Sequence, residues 1–245
     1  DVRDRNGLRP LSLAKIDGGY VLASETCAHD VVGAEFVRDI EPGEVVIIDS
    51  NGVESMRFAE NCRKAVCSFE YVYFARPDSI IDGRNVFVTR KEAGKILARE
   101  NPVDADMVIA VPDSGTAAAI GYAEESGIPF DVGLIKNKYM GRTFIQPDQK
   151  SRELAVRLKL NAMKDNINGK RLILIDDSIV RGTTSAKLVK TLKDAGAKEV
   201  HIRVCSPPVT HSCYFGIDTP NRQQLIGAIK TVEEIREMIG ADSLA

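Results

Sequence analysis

The sequence predicts an α/β protein in which a strand-rich region precedes a doubly wound parallel sheet. Residues 105–205 alternate short apolar runs with helical patterns, which is typical of βαβ units in a parallel sheet. Residues 1 to about 60 instead alternate apolar and polar side chains, as antiparallel strands do. We therefore predict two domains, residues 1–65 and residues 66–245.

The first region contains two apolar runs that predict strands. They cover residues 20–23 and residues 43–49, and an Asn51-Gly52 turn that is typical of a hairpin closes the second run. Between the two regions, residues 69–74 form an aromatic cluster and residues 85–99 have the periodicity of a helix. The first region is therefore expected to be an α+β part of the chain with antiparallel strands.

The second region contains four predicted strands and two predicted helices. The strands are residues 107–111, 130–135, 172–175 and 200–204, and the helices are residues 116–126 and 185–195. The run 172–175 consists only of leucine and isoleucine, which predicts a strand that is buried on both faces. Because open α/β sheets bind ligands just beyond the carboxyl ends of their strands, we expect functional side chains there.

The composition of the chain argues against nucleic acids and membranes as binding partners. The chain has 245 residues, 44% of them hydrophobic, and its 33 Lys and Arg against 35 Asp and Glu give a formal charge of −2. This balance gives no electrostatic case for nucleic-acid or membrane binding. No apolar run approaches the roughly 18 residues of a membrane helix, so we expect a cytoplasmic protein. Five cysteines, an odd number, argue against a disulfide framework.

The most informative motif is LILIDDSIVRGTT, residues 172–184. Asp176 and Asp177 follow the buried strand directly, where carboxylates can hold sugar hydroxyls or a hydrated metal. The turn at residues 181–184 then opens a helix, whose first N–H groups favour an anion. An ordinary turn with a threonine cap is the alternative, but two adjacent carboxylates repel each other unless they serve a ligand. The motif therefore predicts a site for a phosphorylated sugar.

A second loop follows the strand at residues 107–111 and reads PDSGT. Ser114 and Gly115 are small enough for backbone amides to approach an anion, which makes this loop a candidate pyrophosphate cradle. Taken alone, it is also compatible with a Ser or Asp helix cap. Residues 136–145 add three cations after a predicted strand, either as an ordinary solvated loop or as a lid that closes over negative charge.

The acid pair followed by a turn of small residues resembles the phosphoribosyl-diphosphate signature of the type I phosphoribosyltransferases. The string DDSIVRGTT is similar to that of their glutamine-dependent amidotransferase family. This resemblance implies catalytic roles for Asp176, Asp177, Lys136 and Arg142, and substrate contacts by Asp113, Ser114, Gly115, Tyr139, Ser178, Arg181, Gly182, Thr183 and Thr184. It also implies that Mg²⁺ is bound by Ser114, Asp176 and Asp177.

The same resemblance extends to residues 1–65, which are similar to the closing part of a glutaminase domain of the N-terminal nucleophile hydrolases. Such enzymes need a nucleophile as first residue, whereas this chain begins with Asp1, so we interpret it as a fragment that uses ammonia at most. The resemblance implies transfer of ammonia from glutamine to C1 of phosphoribosyl diphosphate, giving 5-phosphoribosylamine for purine synthesis. It further implies feedback by purine nucleotides and a homo-oligomer.

One subgroup of the family holds a 4Fe–4S cluster at the positions of Cys67 and Cys213, with two further ligands in a later Cys-x-x-Cys. Buried free thiols are the alternative at these positions. Two other functions stay open from the sequence. A salvage phosphoribosyltransferase for a purine or pyrimidine base would leave residues 1–60 unexplained. A non-catalytic sensor of phosphoribosyl diphosphate would not need the cationic segment.

Overall fold

The computed structural model describes residues 1–137, 160–217, 219 and 221–245. The chain divides into two compact units, Asp1–Arg90 and Lys91–Ala245, and the helix Val86–Glu100 contains the point of division. The domain boundary near residue 65 stays a prediction. Within the described part of the chain, no helix is long and apolar enough to cross a membrane.

The first unit is rich in antiparallel strands, as predicted. Its elements are β1 (Ser12–Ile16), β2 (Gly19–Ala23), α1 (Thr26–Val32), β3 (Glu35–Asp39), β4 (Glu44–Asp49), β5 (Gly52–Arg57), a π-helical turn (Glu70–Phe74), β6 (Ile80–Ile81) and β7 (Arg84–Asn85). β1 pairs with β2 and β3, β4 pairs with β5, and β6 pairs with β7. The hairpin turn lies one residue earlier than predicted, because Gly52 already pairs with Asp49.

A buried charge cluster connects distant parts of the first unit. The Arg3 guanidinium is buried and donates to the Ile40 carbonyl oxygen at 2.6 Å and to the Asp82 carboxylate at 2.9 Å. The Lys64 ammonium lies 2.8 Å from the same carboxylate. Because a charge that is taken out of water needs a partner, this cluster holds segments before and after residue 65 in one unit.

The second unit is built on a four-stranded parallel sheet. The strand order is β13 (Ser243–Leu244), β12 (Glu199–Val204), β11 (Arg171–Asp176) and β8 (Met107–Ala110). Side chains of the central strand alternate between two hydrophobic clusters, with Leu172 and Leu174 in one and Ile173 and Ile175 in the other. Since both faces of β11 are buried, the predicted doubly wound α/β sheet is confirmed.

The remaining helices of the described chain are α2 (Val86–Glu100), α3 (Thr116–Ser126), α4 (Lys164–Ile167), α5 (Thr183–Asp194), α6 (Ile226–Ile229) and α7 (Val232–Ile239), with a short 3₁₀ turn at Arg222–Gln224. The helix predicted at residues 116–126 is confirmed at the same bounds, and that predicted at residues 85–99 is shifted by one residue. The helix predicted at residues 185–195 begins earlier, at Thr183, directly after the glycine turn.

The strand predicted at residues 130–135 is wrong in most of its length. Phe130 forms a single parallel bridge with Val108, and only Leu134 and Ile135 of the predicted run lie in a strand. That strand is β9 (Leu134–Lys136), which is antiparallel to β10 (Leu160–Ala162). The Asp131 carboxylate accepts a hydrogen bond from the neighbouring Val132 N–H at 2.7 Å. Such local side-chain bonds compete with a strand ladder, and an apolar run alone does not reveal this competition.

Candidate active site

The acid pair lies at the carboxyl end of the central strand, as predicted. Asp176 is the last residue of β11 and Asp177 follows it, and each is only 8% exposed. The Asp177 N–H donates to the Asp176 carboxylate at 2.9 Å, and the Ser178 hydroxyl donates to the Asp177 carboxylate at 2.7 Å. Within the described residues, neither carboxylate has a cationic partner at ion-pair distance.

Electrostatics at this pair follow from its burial. Loss of solvation, and after it the charge of the Asp177 carboxylate, raise the pKa of Asp176 well above its ordinary value. A cation or a set of hydroxyl donors would reverse both effects, because either would stabilise the ionised form. The pair is therefore poorly satisfied by the protein alone and suited to a positively charged or hydroxyl-bearing ligand.

The turn after the acid pair leads into helix α5 through a glycine. Gly182 has a φ of +74°, a conformation that L side chains rarely adopt, and it is the N-cap residue of α5. No side chain caps the helix, so the alternative of a threonine cap is wrong. Arg181, Thr183 and Thr184 are exposed around this turn. The first N–H groups of α5 can therefore receive an anion from solvent.

The second loop lies beside the acid pair in the same sheet. The Val111 N–H donates to the Ile175 carbonyl oxygen at 2.9 Å, so the loop leaves β8 next to the end of β11. A Cβ atom on Gly115 would overlap that carbonyl oxygen, and for this reason the position requires glycine. Gly115 itself is the N-cap residue of α3 and no side chain caps the helix, so the Ser or Asp cap is also wrong. Ser114 is half-buried in this loop.

One cation of the predicted lid reaches the loop. Lys136 is the last residue of strand β9, and its Nζ lies 2.9 Å from the Asp113 carboxylate. Asp113 is exposed and follows Pro112 in the loop after β8. The Pro112–Asp113 peptide bond is cis. Tyr139 and Arg142, the other two predicted members of the lid, lie outside the described residues.

The structure adds a residue that sequence reasoning missed. Beyond β12, the N–H groups of Cys205 and Ser206 donate to the carbonyl oxygens of Asp176 and Asp177 at 3.1 Å and 2.9 Å. The Ser206 hydroxyl is buried and has no hydrogen-bond partner in the described chain. No motif marks Ser206, and only the register of β11 with β12 indicates that it lies beside the acids.

The two cysteines predicted for an iron–sulfur cluster are both free thiols and half-buried. Cys67 belongs to the first unit and Cys213 to the second. Among the residues that the structure describes, no group of three or more His, Cys, Asp or Glu side chains could hold a metal ion. The cluster therefore stays a prediction.

A parallel sheet, an acid pair at its carboxyl edge and two glycine loops together define a class of protein. Residues 84–206 match the family model described as "Phosphoribosyl transferase domain", and the chain belongs to this family. Its recognition from the acid pair and the following turn is thereby confirmed.

Within this class, the similar proteins are amidophosphoribosyltransferases. The enzyme of Archaeoglobus fulgidus is 58% identical over 243 residues, which cover 99% of this chain and 53% of that protein. The Bacillus subtilis enzyme is 56% identical over 242 residues, 99% of this chain and 51% of the relative. The chain thus spans about half the length of the curated relatives that it matches.

Two solved structures resemble the chain closely. The glutamine phosphoribosylpyrophosphate amidotransferase from B. subtilis complexed with ADP and GMP has a TM-score of 0.91 and 56% identity, covering 98% of this chain and 53% of that one. A structure described as the allosteric regulatory enzyme of purine biosynthesis has a TM-score of 0.92 and 56% identity, with coverage of 99% and 52%. Both support the fold described above over nearly the whole chain, including the α/β sheet of the second unit.

Proposed function

We propose that this chain carries the phosphoribosyl-transfer part of an amidophosphoribosyltransferase. The reaction attaches ammonia to C1 of 5-phosphoribosyl 1-diphosphate, releases pyrophosphate and gives 5-phosphoribosylamine, the first step of purine synthesis de novo. The observation that carries this proposal is the buried pair Asp176 and Asp177 beside the uncapped N-terminus of α5. The named relatives support the choice of ammonia over a nucleobase as nucleophile.

In this proposal the acid pair acts on the ribose ring. As the bond from C1 to diphosphate breaks, positive charge develops on the ring, and preorganised carboxylates close to it stabilise that charge. Asp176 and Asp177 also accept hydrogen bonds from ribose hydroxyls. Hydrogen bonds from the ribose hydroxyls favour the ionised form of Asp176, which burial disfavours in the free protein.

The donor set also fits a divalent cation. Two buried carboxylates without a cationic partner in the described chain, together with the half-buried Ser114 hydroxyl, are oxygen ligands of the kind that Mg²⁺ prefers. We propose that Asp176, Asp177 and Ser114 hold Mg²⁺. The ion would neutralise the leaving diphosphate.

The two loops divide the phosphate groups between them. At Gly182, Thr183 and Thr184, the open helix terminus binds the 5′-phosphate through backbone N–H groups and hydroxyls, with the Arg181 cation nearby. Loop residues Ser114 and Gly115 bind the diphosphate. Lys136 adds positive charge from β9, and we propose that Tyr139 and Arg142 complete a lid that excludes water.

We propose that residues 1–65 are the closing part of a glutaminase domain and that ammonia comes from glutamine in the whole protein. Because a relative was solved with ADP and GMP, we propose purine nucleotides as feedback inhibitors. A homo-oligomer, a cytoplasmic location and a 4Fe–4S cluster at Cys67 and Cys213 with further ligands are proposals of the same kind.

Pyrophosphate release tests the proposed reaction. The protein is mixed with phosphoribosyl diphosphate and Mg²⁺ at mildly alkaline pH, with ammonium, with free purine and pyrimidine bases, or with neither. Release that requires ammonium supports the proposal. Release only with a base would indicate a salvage enzyme, and tight binding without any release would indicate a sensor.

A further inference from the structure

Asp113 is difficult to reconcile with a simple role in binding diphosphate. Its side chain is 81% exposed and bears a carboxylate, yet it projects from the loop that is proposed to receive a highly charged anion. Like charges at short range repel, so this carboxylate weakens the cradle unless a cation compensates it. The Lys136 ammonium, 2.9 Å away, is that cation in the structure.

The backbones on both sides of this ion pair are held in place. Lys136 pairs with Leu160 in the two-stranded sheet, and the preceding Gly133 leaves no room for a Cβ atom against the Ile109 side chain. On the other side, the Thr116 N–H donates to the Asp113 carbonyl oxygen at 3.3 Å. A movement of the side chains is therefore sufficient to exchange partners, without a change in these backbone contacts.

The ion pair between Lys136 and Asp113 is weak enough to break when another anion binds Lys136. The Lys136 side chain is 46% exposed, and ion pairs between exposed groups are held weakly because water screens them and long side chains lose entropy. Lysine has a compact charge on a flexible stem, so it can move between two anions without rebuilding its surroundings.

We infer that Asp113 is an internal counter-ion of Lys136 that competes with the diphosphate for this ammonium. This inference rests on the proposed function, since it concerns the diphosphate subsite. In the free protein Lys136 is paired with Asp113, and it transfers to the diphosphate when substrate binds. When pyrophosphate leaves, the Asp113 carboxylate takes Lys136 back. Asp113 is thus a positioning residue that weakens product binding.

Pyrophosphate affinity tests this exchange. Isothermal titration with pyrophosphate and Mg²⁺ at low salt compares the wild type with Asp113→Asn, Lys136→Gln and the double variant. Asp194→Asn is the matched control, because it also removes an exposed carboxylate from an ion pair with a lysine, Lys190, at the far end of α5. Thermal unfolding of each variant checks that the fold is retained.

Competition predicts a specific pattern. Asp113→Asn lowers the dissociation constant of pyrophosphate by roughly two- to fivefold, because a larger fraction of the Lys136 side chains is then free to bind pyrophosphate. Lys136→Gln raises the constant, and in that background Asp113→Asn gives a smaller gain than in the wild type, because only the water-screened repulsion between the exposed carboxylate and the diphosphate remains to be relieved. Asp194→Asn leaves the constant at the wild-type value.

Three results would overturn the inference. Weaker binding in Asp113→Asn would make Asp113 a direct ligand of the substrate or its metal. A gain in the Lys136→Gln background that is as large as in the wild type would show repulsion without competition. An equal gain in Asp194→Asn would show a general effect of net charge. If the wild type neither binds pyrophosphate nor releases it with ammonium, the proposed function fails as well; if it does both, only the inference is at stake.

Discussion

Two strand-loop-helix segments of the second unit share one plan but place their acids in opposite surroundings. After β11, Asp176 and Asp177 are each 8% exposed. After β8, the Asp113 side chain is 81% exposed and paired with Lys136. The buried acids are suited to stabilise charge on a reacting ring, because a low-dielectric site strengthens electrostatic interactions. The exposed acid is the one that we propose to adjust the binding of an anion.

The glycines of the two loops are required for different physical reasons. Gly115 has an ordinary φ of −80° and is required because a side chain would overlap the Ile175 carbonyl oxygen. Gly182 has a φ of +74° and is required for its conformation, since its nearest neighbour would be the flexible end of Met238 at 2.7 Å. One loop is thus limited by space and the other by backbone geometry.

The largest expected effect is on catalysis by the buried acid pair. Asp176→Asn combined with Asp177→Asn removes the charge that stabilises the ring, so ammonium-dependent pyrophosphate release should fall at least about a hundredfold. Asp194→Asn, at the other end of α5, should keep the wild-type rate. Unchanged rates in the double variant would show that the acid pair is not the reacting centre.

Alanine substitution of Gly115 and Gly182 should distinguish the cost of a steric overlap from the cost of a positive φ. Gly115→Ala should lower the free energy of unfolding by about 3 kcal/mol, because the overlapped atom belongs to the backbone and cannot move aside. Gly182→Ala should lower it by about 1 kcal/mol, the effect of a positive φ on alanine. Chemical denaturation measures both changes.

Gly127 provides the matched control for this pair. It follows α3 with a φ of +73° and has no neighbour within 4 Å of an added Cβ atom. Gly127→Ala should therefore match Gly182→Ala. A loss in Gly115→Ala that is no larger than in Gly127→Ala would mean that β11 yields to the extra atom.

The pH dependence of stability should reveal the buried acid. The pKa of Asp176 is raised in the folded state, so its contribution to stability is complete below the ordinary pKa of 3.8 and is lost as pH rises through the folded pKa. Asp176→Asn should abolish this loss and raise the melting temperature at neutral pH. A wild-type slope in Asp176→Asn would contradict the raised pKa.

The smallest expected effect concerns Asp106, near the opposite end of β11. Its pKa is lowered rather than raised, so its effect on the pH dependence of stability has the opposite sign to that of Asp176. Hydrogen bonds from Arg171 lower the pKa of the exposed Asp106 to about 2. Its contribution is present above the ordinary pKa of 3.8 and is lost as pH falls towards 2. Asp106→Asn should make acid unfolding slightly less steep, by a small amount because water screens exposed pairs. Acid titration followed by circular dichroism measures this slope.

Much of this arrangement could be predicted from local patterns. The run at residues 172–175 indicated a strand buried on both faces because every side chain is apolar. The segment at residues 130–135 misled prediction because its apolar side chains do not reveal that Asp131 bonds to its own neighbour. Ser206 had no signal at all, since its position beside Asp177 depends on the register of two strands that are distant in sequence.

The sequence by itself determined the buried strand at residues 172–175, the acid pair after it and the glycine turn, because these depend on neighbouring residues. Only the tertiary structure decided how the acids are used. Burial of Asp176 beside Asp177 raises its pKa, and the approach of β9 to the loop after β8 pairs Lys136 with Asp113. Solvation and charge pairing depend on what surrounds a group in space, and residue order alone does not specify those surroundings.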